Sequence, residues 1–148
     1  EQLFEEAARM YARTALRYRV AARGSWKPLT AAHQEIMKKI VDMWTNAANQ
    51  GHAYAQFNLG SMYLEGNGVV QDHKKAVQWL RKAAEQGRID AQLELGIVYY
   101  RGEGVAKDYN ESAMWYRKAA DQGSTKAQFN LGDMYEQGKG VAQDRKKA

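Results

Sequence analysis

The chain has 148 residues, 45% of them hydrophobic, with one proline, no cysteine and a formal net charge of +5 from 22 basic and 17 acidic side chains. That is enough to build a sizeable core as one compact domain or a short array, and so little proline beside abundant Ala, Gln, Glu, Lys, Arg and Leu favours helix throughout. The lack of cysteine excludes a disulfide scaffold and thiolate metal sites and is neutral about compartment, so localisation stays open.

No apolar run approaches the roughly 18 residues that cross a bilayer, and the N-terminus lacks the charged-then-apolar grading of a signal peptide. Residues 1–23 read as one amphipathic helix, with Leu3, Phe4, Ala7, Ala8, Tyr11, Ala15 and Tyr18 near helical spacing. Arg9, Arg13 and Arg17 share one face, joined by Arg19 and Arg23, while Glu1, Glu5 and Glu6 occupy the first turns, where the helix dipole favours acids. Gly24-Ser25-Trp26-Lys27-Pro28 breaks this helix. Thr30 is placed as N-cap of a second helix running to about Gln50, with Ile40, Met43, Trp44, Ala47 and Ala48 on its apolar face.

From here the chain repeats. Ala55-Gln56-Phe57-Asn58-Leu59-Gly60 returns as Ala91-Gln92-Leu93-Glu94-Leu95-Gly96 and as Ala127-Gln128-Phe129-Asn130-Leu131-Gly132, a period of 36 residues. Segments 52–87 and 88–123 share 16 of 36 positions without a gap, so the chain is a tandem array. Each unit predicts two helices. The first, over 53–65 and 89–101, buries Ala55, Leu59, Met62 and Tyr63, then Ala91, Leu95, Val98 and Tyr99. Gly66 and Gly68, Gly102 and Gly104, and Gly138 and Gly140 predict positive-φ turns that end it. Asp72, Asp108 and Asp144 then stand as N-caps of the second helix, which presents Ala76, Trp79, Leu80, Ala83 and Ala84, or Ser112, Trp115, Tyr116, Ala119 and Ala120. The divisions expected are 1–29, an atypical N-terminal helix and linker; 30–51, half of a degenerate repeat; full units 52–87 and 88–123; and 124–148, a truncated unit. Starting at Glu1 and stopping at Ala148 in mid-repeat, the chain reads as a fragment or processed form.

The pattern from Ala53 to Ala148 resembles the Sel1-like repeat family, relatives of tetratricopeptide repeats. The likeness weakens over 31–51, where Trp44 is shifted one place and Asn46 replaces the usual Lys, and is absent over 1–30. It implies an all-α fold, a right-handed α-solenoid of Sel1-like helix-turn-helix repeats, and it implies an adaptor or scaffold that binds a partner protein or peptide.

Catalytic chemistry finds no constellation. The three Gly-x-Gly-Val loops follow helices and repeat identically, which is turn rather than phosphate-loop context. His33, His52 and His73 lack ligand spacing, no nucleophile sits with a base, and Asp72 and Asp108 are accounted for as caps, so no enzyme activity, cofactor or metal is expected. Asn110-Glu111-Ser112 forms an N-glycosylation triplet that signifies only in a secretory setting. Residues 1–27 carry six basic against three acidic side chains. Such a stripe can meet nucleic acid or an anionic surface, but a solvated face with Glu5 pairing to Arg9 is favoured. That contact, or a role as the non-catalytic part of a larger enzyme, is the alternative function; nucleic acid is disfavoured, no membrane span is expected, and oligomeric state is not legible.

The first helices are apolar on a second side. Phe57, Leu93 and Phe129, apolar in every unit, are assigned to packing between repeats. Leu64, Ile97 and Tyr100 change identity between units, as positions freed from the scaffold should, and are assigned to an exposed concave strip. The expected partner site is Tyr54, Ser61, Leu64 and Glu65 with Asp90, Ile97, Tyr100 and Arg101, anchored by Tyr100 and Leu64.

Overall fold

A computed structural model describes residues 31–140 together with Arg9. Six α-helices follow one another and no strand occurs among the described residues: α1 (Ala31–Asn49), α2 (Ala53–Glu65), α3 (His73–Glu85), α4 (Ile89–Arg101), α5 (Tyr109–Asp121) and α6 (Thr125–Gln137). The expectations for the Gly24 to Pro28 break, the Thr30 cap, the Asp144 cap and the arginine stripe beyond Arg9 lie outside these residues.

Local chemistry sets the helix ends where the sequence places them. Asp72 accepts from the Lys75 backbone N–H at 3.1 Å, and Asp108 from those of Asn110 and Glu111 at 3.0 and 3.1 Å, so the orphan donors of α3 and α5 are capped. Gly66 and Gly102 close α2 and α4 in the left-handed region, at φ 68 and 74, which a side chain would strain.

The core lies between hairpins. Met37, Ile40, Trp44, Ala47 and Ala48 of α1 bury themselves against Ala55, Leu59 and Met62 of α2. A second cluster joins Val77, Leu80, Ala83 and Ala84 of α3 to Ala91, Leu95, Val98 and Tyr99 of α4, with Trp115; a third joins Ala113, Tyr116 and Ala119 of α5 to Ala127 and Met134 of α6. Each second helix is therefore glued to the first helix of the next unit, the nearest-neighbour arrangement of an α-solenoid.

Within each hairpin the helices cross closely at the hexad glycine. A Cβ on Gly60 would sit 2.7 Å from Leu80 Cγ, and one on Gly96 2.4 Å from the Tyr116 ring. At the same crossing Ser112, fully buried in the slot that Ala76 holds in the preceding unit, donates from Oγ to the Gly96 carbonyl at 2.6 Å.

The hexad glutamine ties the seams. Gln56 Nε2 donates to the Ala48 carbonyl, Gln92 to that of Ala84 and Gln128 to that of Ala120, at 3.1, 3.1 and 3.2 Å. Gln86 and Gln122 in turn donate to Gln56 Oε1 and Gln92 Oε1 at 2.8 Å, linking the ends of consecutive units. The second loop glycine serves the same seam: a Cβ on Gly104 would meet the His73 backbone at 2.6 Å, so the loop of one unit lies directly on the helix start of the one before.

Phe57 and Leu93 take the inter-repeat role expected of them, half-buried against the second and third clusters. Phe129 does not: it is 76% exposed, because no helix follows α6 among the described residues.

Candidate functional site

The first helices α2 and α4 are covered on two sides, by their own second helix and by the preceding one, and α6 by the preceding one. What remains is a stripe at i, i+4, i+7 and i+11, which spans one side of a helix. In α2 it is Tyr54, Asn58, Ser61 and Glu65; in α4, Asp90, Glu94, Ile97 and Arg101; in α6, Lys126, Asn130, Asp133 and Gln137. Every one of these is exposed or half-buried, in contrast to Ala55, Leu59, Ala91 and Leu95 beside them.

At one end the stripe is ordered by charge and ring contacts. Arg88 donates from Nε and Nη2 to Asp90 Oδ1 and Oδ2 at 3.0 and 2.6 Å, a bidentate pair that raises the guanidinium pKa further. Its guanidinium also lies 4.8 Å from the centroid of the Tyr54 ring, which meets Trp44 edge to face at 6.0 Å. Tyr54, on one unit, is thus bridged to Asp90 on the next while remaining 41% exposed.

In the middle, Glu94 is half-buried, and its carboxyl pKa is raised first by burial and then by Glu65, with Glu103 and Asp90 adding to the effect and Arg101 opposing it. Glu65 and Arg101 stand exposed at the far end, Arg101 being 3.8 Å from Glu103.

Of the residues expected to form the site, Tyr54, Ser61, Glu65, Asp90, Ile97 and Arg101 fall on this stripe. Leu64 and Tyr100 flank it. The expectation that Leu64, Ile97 and Tyr100 are freed from the scaffold is not met. Leu64 is half-buried against the second cluster, and Ile97 and Tyr100 against the third. Tyr100 is also held from outside: its ring lies 5.2 Å from that of Tyr109, and its hydroxyl accepts from Lys139 Nζ at 3.0 Å, which raises the Lys139 pKa. A change of identity from unit to unit reflects a change of neighbour here, not release from packing.

Sequence reasoning missed Asn58, Glu94 and Asn130, the centre of the stripe. The signal was available: each stands four residues after Tyr54, Asp90 or Lys126, inside the hexad, and is polar in every unit between apolar neighbours. Behind Asn130 the Tyr116 hydroxyl is pushed up to about 12 by burial, with hydrogen bonds to Ser112 and Asn130 pulling the other way.

Among the described residues no helix is long and apolar enough to cross a membrane. No curated protein matches the chain significantly. Among solved structures it is similar to a protective antigen of uropathogenic Escherichia coli strains displaying an SLR fold, with 39% identity over 93% of this chain and a TM-score of 0.72. The match takes in only 27% of that protein, so the chain spans about a quarter of its length. It is also similar to a Sel1 repeat protein from Oxalobacter formigenes, with 46% identity, 69% of this chain and 77% of the other covered, and a TM-score of 0.63. Cysteine rich protein B of Helicobacter pylori, at 20% identity over 86% of this chain and 96% of its own, shares the fold with a TM-score of 0.61. The Sel1 repeat model matches residues 53–87, 89–124 and 125–148, and with most of its length so accounted for, the chain belongs to the Sel1 repeat family.

Proposed function

We propose that the chain is a protein-binding adaptor whose partner protein or peptide docks along the uncovered stripe of α2 and α4, the side that a solenoid of such hairpins turns inward. Sel1-repeat proteins are generally protein-interaction scaffolds. One observation carries the more specific reading: the stripe stays exposed or half-buried in successive units and differs in chemistry between them, Tyr54, Asn58, Ser61 and Glu65 against Asp90, Glu94, Ile97 and Arg101, while Ala55, Leu59 and Gly60 beside it recur as Ala91, Leu95 and Gly96. Chemical variation on a constant frame is how an array reads one partner rather than another.

Tyr54, pre-ordered by Arg88 and Trp44, and Ile97 supply the apolar contacts; Ser61, Glu65, Asp90 and Arg101 supply the polar rim; Leu64 and Tyr100 border it with the parts of their side chains that the seams leave open. No catalytic residue, cofactor or metal is assigned. The test is a charge reversal. Glu65→Lys with Arg101→Glu is expected to weaken a captured partner about tenfold or more, with circular dichroism unchanged, while Lys118→Glu with Asp121→Lys on the opposite side leaves binding intact. Loss through the second pair alone would overturn the proposal.

A further inference from the structure

The repeats carry one interaction whose absence in a single unit opens a cleft. In the later units an arginine on the second helix reaches the tyrosine of the next first helix: Arg81 donates to the Tyr99 hydroxyl, and Arg117 to that of Tyr135 at 2.8 Å. Thirty-six residues before Arg81 stands Thr45, too short to reach, with its Oγ1 turned back to the Val41 carbonyl at 2.7 Å. The corresponding Tyr63 hydroxyl has no hydrogen-bond partner among the described residues. Beside it lies a cleft of about 620 Å³ whose lining includes Thr45, Tyr63, Lys75, Trp79, Lys82 and Glu85.

The charge at this place is also altered. Where α5 carries the half-buried Glu111, α3 carries Lys75, whose Nζ lies 5.5 Å from the Tyr63 ring centroid. Lys82 Nζ stands 4.8 Å over Trp79. Trp79 itself is half-buried, whereas its counterpart Trp115 is sealed at 2% exposure. A guanidinium slot has thus become a cleft lined, among the described residues, by an indole wall, a phenol hydroxyl without a hydrogen bond, two ammonium groups and one acid, Glu85.

We propose that this cleft is a second binding site, one that takes an acidic peptide segment in which carboxylates neighbour an apolar side chain. The carboxylates accept from Tyr63, Lys75 and Lys82, charge-assisted bonds in a partly enclosed site, and the apolar side chain lies on Trp79. Tyr63 projects from α2 on the side opposite to the Tyr54 stripe, so the site is independent of the adaptor surface and stands or falls separately from it.

The probe is a fluorescein-labelled peptide alternating glutamate and phenylalanine, read by anisotropy, with its glutamine counterpart as control. Thr45→Arg rebuilds the bond of the later units, fills the cleft and is expected to weaken binding about tenfold or more while leaving the melting temperature level or higher. Lys75→Gln with Lys82→Gln, both exposed and unable to disturb the core, should weaken it comparably, and added salt should do the same. Equal binding of the glutamine peptide, unchanged affinity in Thr45→Arg or in the lysine pair, or no binding by the natural chain would each overturn the assignment.

Discussion

Gly96→Ala probes the crossing on which each hairpin depends. An added methyl would stand 2.4 Å from Cδ1 and Cε1 of Tyr116, about 1 Å inside the 3.4 Å at which ordinary contact begins. The ring cannot swing away, because Tyr116 is 4% exposed, and the Gly96 carbonyl is pinned by Ser112 at 2.6 Å. Overpacking of this kind costs ~1–3 kcal/mol. Against it, alanine gains up to ~1 kcal/mol of helix propensity. The net expectation is a loss of about 1–2 kcal/mol, a fall of several degrees in melting temperature for an array of this size. Gly60→Ala should also destabilise, since its methyl would stand 2.7 and 2.8 Å from Cγ and Cδ2 of the fully buried Leu80 and 3.2 Å from the Ala76 carbonyl oxygen. Urea denaturation of Gly96→Ala, Tyr116→Ala and the double variant measures the coupling: once the ring is gone, alanine at 96 should become neutral or favourable. A Gly96→Ala chain as stable as the natural one, or a double variant whose losses simply add, would refute the crossing as the reason for this glycine.

The glutamine ties predict a contrast inside one motif. Gln92→Ala strands the Ala84 carbonyl in a seam where Gln92 is 3% exposed, and should cost about 1–3 kcal/mol by chemical denaturation, whereas Gln128→Ala, exposed, should cost much less. Glu94 predicts a pH signature. Its pKa in the folded chain is raised above the ordinary 4.5, so the folded state binds the proton more tightly and loses stability as pH rises through the range above that value. Glu94→Gln should therefore melt higher than the natural chain at neutral pH, and the gap should close on acidification below 4.5; a gap that is constant with pH would contradict the assignment.

Helix ends were legible because they depend on neighbours in sequence: Asp72 and Asp108 cap, and Gly66 and Gly102 stop, whatever lies around them. Seam contacts were not legible, because their partners lie on other helices, brought up only by the fold. Nothing local marks Gln56 as bonded to Ala48 and Gln86, or Gly104 as lying on the His73 backbone. The same limit explains Tyr100. Its wheel angle marks a second apolar side of α4 but not whether that side is open, and only the fold brings up Tyr109 and Lys139 to hold it. The reverse holds for Phe129, whose wheel angle matches Phe57 while its surroundings do not.

The adaptor surface is tested most directly by photo-crosslinking in the presence of a bound partner. A photoreactive benzoyl-phenylalanine placed at Asn58 or Ser61, on the open stripe, is expected to yield a covalent adduct with the partner, while the same group at Met114 or Asn110, on exposed positions of α5, yields none. Adducts from Met114 or Asn110 with none from Asn58 or Ser61 would contradict the account.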